Sequence, residues 1–370
     1  MQKKIRTVGA IAILTLWAIV TAFAWFSPPK AYSDTERSDL SQMPQIQWET
    51  IWNGTFMPKF EEFTLDQFPA RDAVRTLKSI FHYYVLNMSD NNGFYLTGDV
   101  IGKVEYPMNQ PSVNYAAKRL AELQEMYLQG TACKTYLTLV PDKGYYMAGE
   151  NGKPAMDYGV MFAAIRDALP GSTYVDITGT LDAKDYYRTD THWRQEMLLE
   201  TAATICNTMG VTAPRAEDFT PTTLQRPFYG VYYGQAALPV QPETITVMES
   251  EVLSGCTVRN PISGKESAVY VKDTQSKDLY DVFLSGPQDL LVIENPNAGT
   301  DKELIVFRDS YGSSMVPLLV QDYKTVTLID TRYISPELIG DHVSFEDQDV
   351  LFLYSALILN SSRSLLQAKK

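Results

Sequence analysis

The sequence predicts an α/β fold, a three-layer sandwich around a mostly parallel sheet, and three observations carry that prediction. Apolar, β-branched runs recur along the chain, amphipathic helical stretches separate most of them, and the runs lack the apolar–polar alternation of a strand with one wet face. Strands buried on both faces read as near-continuous hydrophobic segments, and strands alternating with helices form parallel sheets covered on both sides. At 370 residues the chain has ample material for such a core.

The elements follow in order. Lys3, Lys4 and Arg6 precede an uncharged apolar run from Val8 to Phe26, and SPPK then breaks any continuing helix. The run is long enough to span a bilayer. Basic residues ahead of it place the N-terminus in the cytosol and the rest outside the cell. The competing reading is a cleaved signal peptide, for which Ala22 and Ala24 supply small residues; the length of the run favours an uncleaved anchor. Residues 1–30 are thus expected to be a cytosolic tip and transmembrane anchor, residues 31–60 a juxtamembrane stalk, and residues 61–370 an extracellular domain. A helix is expected over Phe68 to Met88, with Ala73, Leu77, Ile80, Phe81 and Tyr84 on its apolar face.

Core strands are expected at Thr135–Pro141, Thr173–Gly179, Glu303–Ser310, Lys324–Asp330 and Asp349–Ser355. Helices are expected at Asn114–Leu128, Tyr158–Ala168, Trp193–Met209 and Ser313–Gln321. Between about 211 and 301 the rhythm breaks into short alternating segments with prolines and glycines, which reads as a β-rich insertion.

Charge and cysteine usage exclude several classes. The net charge is −12, and removing the four basic charges of residues 1–30, which hold no acidic group, leaves −16 beyond the anchor. So acidic a domain is no nucleic-acid partner. Cys133, Cys206 and Cys256 have no close spacing, so no CxxC redox or zinc site is predicted; one disulfide with a free thiol, or three free thiols, both fit. No glycine-rich phosphate loop of the right spacing occurs.

Two short stretches carry chemistry. In ELIVFRDSYGSSMVP a strand ends at Arg308 and Asp309, so Ser310 falls at its carboxyl edge, where open α/β sheets place their sites. Asp309 and Ser310 are also ordinary helix caps, which is the plainer reading of DS alone. In YYRTDTHWRQ, Asp190 stands two residues before His192 and ahead of an expected helix. A serine nucleophile needs an imidazole base, and the base needs a carboxylate to fix its tautomer. A helix N-terminus would also help keep that imidazole neutral. The plainer reading of His192 is a helix-start residue bonded to a carboxylate. His82, in a helix, and His342, in a polar loop, have no nucleophile beside them, and three scattered histidines give no metal site.

TDTHW followed by DSYGSS resembles the SGNH-hydrolase-like proteins of the alginate O-acetyltransferase family, in particular the Gram-positive group named for an Asp-His-His-Trp motif. FPARDAV, NNGFYLTGD, TLVPDK and LIDTRYI look like further landmarks. Thr191 departs from the motif's first histidine. The resemblance implies an SGNH-like sheet, Ser310 as nucleophile, His192 as general base and Asp190 as its orienting carboxylate. By analogy Arg332 and Tyr333 face the site, the alternative being that they close the sheet edge after a strand. Read from the residues themselves, free amides near Ser310 and Tyr311 can hold an oxyanion, and Trp193, Tyr229, Tyr232 and Tyr233 offer rings to a sugar, the plainer reading of such a stretch being packing between an insertion and its core. The implied function is a membrane-anchored, exported O-acyltransferase or esterase, acetyl by resemblance, acting on a polysaccharide without a cofactor. A membrane-bound O-acyltransferase is the implied acyl-donating partner. The alternative is a non-catalytic glycan-binding or assembly protein, for which a Ser310–His192 separation beyond about 5 Å would speak.

Overall fold

The computed structural model describes residues 2–366 and divides into two compact units. One comprises the chain up to Asn92 together with Val231–Val240; the other comprises Gly93–Gly230 and the chain from Gln241 onward.

The second unit is built on an eight-stranded sheet. Its strands, numbered in chain order, are β1 (Lys134–Val140), β2 (Thr173–Tyr174), β3 (Thr257–Arg259), β4 (Glu266–Ser267), β5 (Leu290–Glu294), β6 (Glu303–Arg308), β7 (Thr325–Ile329) and β8 (Asp349–Ser355). They lie in the order β4-β3-β5-β7-β6-β8-β1-β2. Strands from β7 to β2 pair in parallel, with Val306 opposite Leu351 and Leu353 opposite Thr138. The β5, β3 and β4 strands add antiparallel to the β7 edge.

Alternation along the central strands divides the core in two. Leu304, Val306, Leu351 and Leu353 face one apolar cluster, which includes Ala202, Ile205 and Met209 of helix Leu199–Met209. Ile305, Phe307, Val350, Phe352 and Tyr354 face the other, with residues of helices Gln110–Tyr127 and Tyr158–Ala168. Every side chain of β8 is buried, which is why its sequence shows no polar alternation. The three-layer expectation holds.

Four expectations are corrected. The expected β-rich insertion at 211–301 is in part core sheet: β3, β4 and β5 extend the main sheet, while Thr220–Thr223 pairs apart from it, with Thr246–Glu249. The strand expected over Thr173–Gly179 stops at Tyr174. The helix expected from Trp193 begins at Leu199, after a 3-10 turn at Gln195–Met197. Tertiary bonds claim its first residues: the Trp193 indole donates to Ser314, and the Gln195 amide reaches both the Ser314 carbonyl and the Met248 amide. His192 therefore lies ahead of a bridge and a turn, and the helix N-terminus invoked for its neutrality is not beside it.

The fourth correction concerns the first unit. It holds helices Gln2–Phe26, Trp48–Trp52, Phe56–Asp66 and Arg71–Ile80, the last continuing as a π turn to Val85. The last of these lies where a helix is expected over Phe68 to Met88, within the residues 61–370 expected to form the extracellular domain. It packs instead with the stalk residues and with 231–240: Arg75 donates to the carbonyls of Gly234 and Gln235, and Ser79 to that of Ala236. Polar groups thus occupy its inner side, while Leu77, Phe81 and Tyr84 of the expected apolar face are exposed. Helix Gln2–Phe26 contains an apolar stretch, Arg6–Phe26, long enough to be a membrane span or a signal sequence.

Candidate active site

Ser310 follows the carboxyl end of β6, at the middle of the sheet, and opens the short helix Tyr311–Met315. Its hydroxyl makes no capping bond. The cap belongs to Asp309, whose carboxylate accepts the Tyr311 amide at 3.0 Å and, through its other oxygen, the Ser355 amide at 2.8 Å. Asp309 thereby ties the ends of β6 and β8 together and frees the serine hydroxyl to point elsewhere.

It points to His192. Nε2 of His192 lies 2.8 Å from Ser310 Oγ, and Nδ1 lies 2.6 Å from Asp190 Oδ1. The same Asp190 oxygen accepts the His192 amide at 3.0 Å, so the carboxylate fixes both ring and backbone. Asp190 is fully buried, His192 is nearly so, and Ser310 is half-buried. A carboxylate at Nδ1 places the proton there and leaves Nε2 as the acceptor for the serine proton, the arrangement of a serine acyl-transfer site.

The two motifs grip each other beyond the triad. Tyr311 Oη donates to the Thr191 carbonyl at 2.6 Å, and Trp193 Nε1 donates to Ser314 Oγ at 2.9 Å. Thr191, standing where the related motif has a histidine, places its own hydroxyl 3.2 Å from the same Tyr311 oxygen, away from the reacting atoms.

Searches for a matching family model and for a similar curated protein found none. Solved structures do match. A DHHW family protein from Eubacterium siraeum aligns with a TM-score of 0.61 at 21% identity, over 76% of this chain and 98% of that one. Bacillus cereus PatB1 aligns at 0.55 and 19%, over 73% and 97%, and its sulfonyl adduct at 0.52 and 18%, over 72% and 95%. The chain shares their fold.

Around this frame the other expected residues fall differently. Trp193 is fully buried, edge-on to Tyr311, so neither ring face is open to a sugar. Burial of this ring follows from its use as the bolt between the two motifs. The Tyr311 amide is engaged by Asp309, and the expectation that it holds an oxyanion is corrected accordingly. Arg332 is committed to Asp330, with Nε at 2.8 Å and Nη2 at 2.6 Å, and Asp330 also lies 3.7 Å from the buried Arg308. Tyr333 is exposed beneath the Arg332 guanidinium. Among the described residues no hydrogen bond joins Arg332 or Tyr333 to the triad. Tyr229 is exposed, and Tyr232 and Tyr233 belong to the first unit's helix Val231–Ala236.

Three further residues shape the site. Tyr280, from the segment read as an insertion, stacks flat on His192, with ring centroids 4.0 Å apart and planes at 11°. Its hydroxyl meets Ser314 Oγ at 2.8 Å, and burial pushes its pKa well above the ordinary range, so the phenol stays neutral. Lys143 is buried, and its Nζ donates to the carbonyls of Tyr187 at 2.8 Å, Arg188 at 3.4 Å and Asp190 at 2.9 Å. Glu243 accepts the amides of Arg188 and Thr189 at 2.9 and 2.7 Å. The TLVPDK stretch contained Lys143 without revealing its partners. Nothing local in the sequence marks Tyr280 or Glu243, whose roles arise only from tertiary approach.

Proposed function

We propose that the chain is a member of the DHHW group of O-acetyltransferase-like proteins, and that it is a membrane-anchored, exported O-acyltransferase or esterase using Ser310, His192 and Asp190. The observation that carries this reading is the continuous bonding from Asp190 through His192 to Ser310 Oγ at 2.6 and 2.8 Å. In this mechanism Ser310 Oγ attacks an ester carbonyl while His192 Nε2 takes its proton. Asp190 remains ionised and stabilises the imidazolium, which then protonates the departing oxygen. The acyl-serine is released when a sugar hydroxyl or water attacks it, with His192 taking the incoming proton. Oxyanion stabilisation is assigned to the Ser310 amide, since the Tyr311 amide serves Asp309.

An acetyl group, a cell-surface or secreted polysaccharide as acceptor, and a membrane-bound O-acyltransferase as donor accord with the resemblance of the TDTHW and DSYGSS motifs. The apolar stretch Arg6–Phe26 supports anchoring, and Lys3, Lys4 and Arg6 ahead of its uncharged run support an extracellular catalytic unit. A non-catalytic glycan-binding protein predicted a separation beyond about 5 Å between serine and histidine; at 2.8 Å the geometry favours chemistry.

The test is release of p-nitrophenol from its acetate ester by the full chain in detergent. Ser310→Ala and His192→Ala are each expected to lower kcat by a factor of about 1,000 or more. A folded wild type without activity, or variants as active as wild type, would overturn the assignment. Repeating the assay with a neutral oligosaccharide and weighing the products separates transfer from hydrolysis.

A further inference from the structure

The unit that carries the apolar helix exposes an unusual amount of apolar surface next to it. No side chain of helices Trp48–Trp52 or Phe56–Asp66 is buried. Trp48 is 76% and Trp52 83% exposed, and Ile46, Met57 and Leu65 are exposed with them. Such clustering on a water-facing surface is costly, and it marks an interaction face.

A ladder of rings fixes where helix Phe56–Asp66 lies relative to the apolar helix. Phe63 packs on Phe60 at 6.3 Å, Phe60 stacks on Phe56 at 5.7 Å, and Phe60 reaches Trp25 at 6.4 Å. Trp25 is the penultimate residue of the candidate span Arg6–Phe26. The contact therefore holds helix Phe56–Asp66 against the end of the span, where hydrocarbon gives way to headgroups. Tryptophan favours that layer, having an apolar ring and one polar N–H.

We propose that the segment from Ile46 to Leu65 lies in the headgroup layer of the bilayer, inserting Trp48 and Trp52 beside the span. This rests on the reading of Arg6–Phe26 as an uncleaved anchor. The attraction is apolar rather than electrostatic: Lys59 is the one basic side chain among Glu49, Glu61, Glu62 and Asp66, so the face fits a zwitterionic surface and gains nothing from anionic lipid. The next helix continues the same character, turning Val74, Leu77, Phe81 and Tyr84 outward.

Tryptophan fluorescence of the full chain in phosphatidylcholine vesicles tests this, because the five tryptophans occupy distinct settings. Trp193 is fully buried in the other unit and serves as the internal sign that the fold is intact. The emission lost in a Trp48→Phe/Trp52→Phe variant reports the proposed face, and that lost in Trp17→Phe reports the middle of the span. The Trp48/Trp52 difference emission is expected to be quenched more by lipid brominated near the headgroup than by lipid brominated near the methyl ends, and to be shielded from aqueous acrylamide. Quenching by acrylamide but not by brominated lipid would place the face in water and overturn the proposal. Quenching by neither would place it under protein, a second copy or a partner, and overturn it equally. Lipid quenching that appears only with added anionic lipid would overturn the apolar basis of the attraction. The Trp17 difference is read separately: quenching by deeply brominated lipid supports the anchor whatever Trp48 and Trp52 do, and its absence refutes the anchor itself.

Discussion

Lys143 shows how much of the candidate site depends on a side chain that touches no reacting atom. Its ammonium is buried beneath the loop that delivers Asp190 and His192 and donates to three carbonyls of that loop. The charged groups facing it are Glu243, Asp190 and Asp142, yet burial outweighs them and pushes its pKa down to about 8 from an ordinary 10.5. Between about 8 and 10.5 the unfolded chain holds a proton that the folded chain has released, so this group makes stability rise with pH across that window. Activity has the opposite dependence, because a neutral amine offers two N–H groups to three carbonyls. We expect kcat for ester cleavage to decline above about pH 8 while the thermal midpoint does not fall with it. Lys143→Met is expected to be folded, about 100-fold slower at neutral pH through displacement of the Asp190 turn, and without that basic limb. A basic limb unchanged in Lys143→Met would assign it to another group.

At the scale of elements, the segment 211–301 does more than fill a gap between strands, since it supplies the ring that covers His192. A neutral tyrosine stacked at 4.0 Å fixes the imidazole plane and presents an electron-rich face to the imidazolium of the proposed mechanism. Tyr280→Leu is expected to lower kcat about tenfold, corresponding to roughly 1.4 kcal/mol of ring contact. Tyr280→Phe is expected to stay within about threefold, because it keeps the ring and loses only the hydroxyl's bond to Ser314 and its longer one to the Ser310 carbonyl. Equal losses in both would shift the role to the hydroxyl and its bond to Ser314. Gly230 makes a related point about close approach: a Cβ there would collide with Asp190 Cβ and the Thr189 carbonyl. Gly230→Ala is expected to lower both the thermal midpoint and kcat, measured by calorimetry and ester cleavage. These dependences explain what was legible in advance. Ser310, His192 and Asp190 could be picked out as candidates because each motif is local: Asp190 stands two residues before His192, and Ser310 follows a strand of recognisable pattern. Core strands β1, β6, β7 and β8 were legible because full burial leaves an uninterrupted apolar run. The delayed helix start at Leu199 was not, since bonds from Trp193 and Gln195 to residues more than a hundred positions away override local helical preference. Nor was the outward face of helix Arg71–Ile80, whose apolar spacing indicates a buried stripe but not what buries it.

At the scale of the whole molecule, the three cysteines bear on the compartment proposed for the chain. None is paired, so an exported protein must protect its thiols by other means. Burial does so twice. It raises Cys206 to about 12 and Cys256 to about 11, with Asp322 adding to the first, so the reactive thiolate is almost absent at neutral pH. Cys206 lies inside helix Leu199–Met209 within the sheet's apolar cluster, and Cys256 leads into β3. Cys133 differs, being half-exposed just before β1, with its thiol 3.6 Å from the Gln348 side-chain Oε1. A chromogenic disulfide reagent is therefore expected to react with one thiol in the native protein and with three in denaturant, and Cys133→Ser to abolish the native reaction. Two native thiols would show that the β3 edge opens on the timescale of labelling. Fewer than three in denaturant would reveal a disulfide and with it a different arrangement of the strands that hold these residues apart.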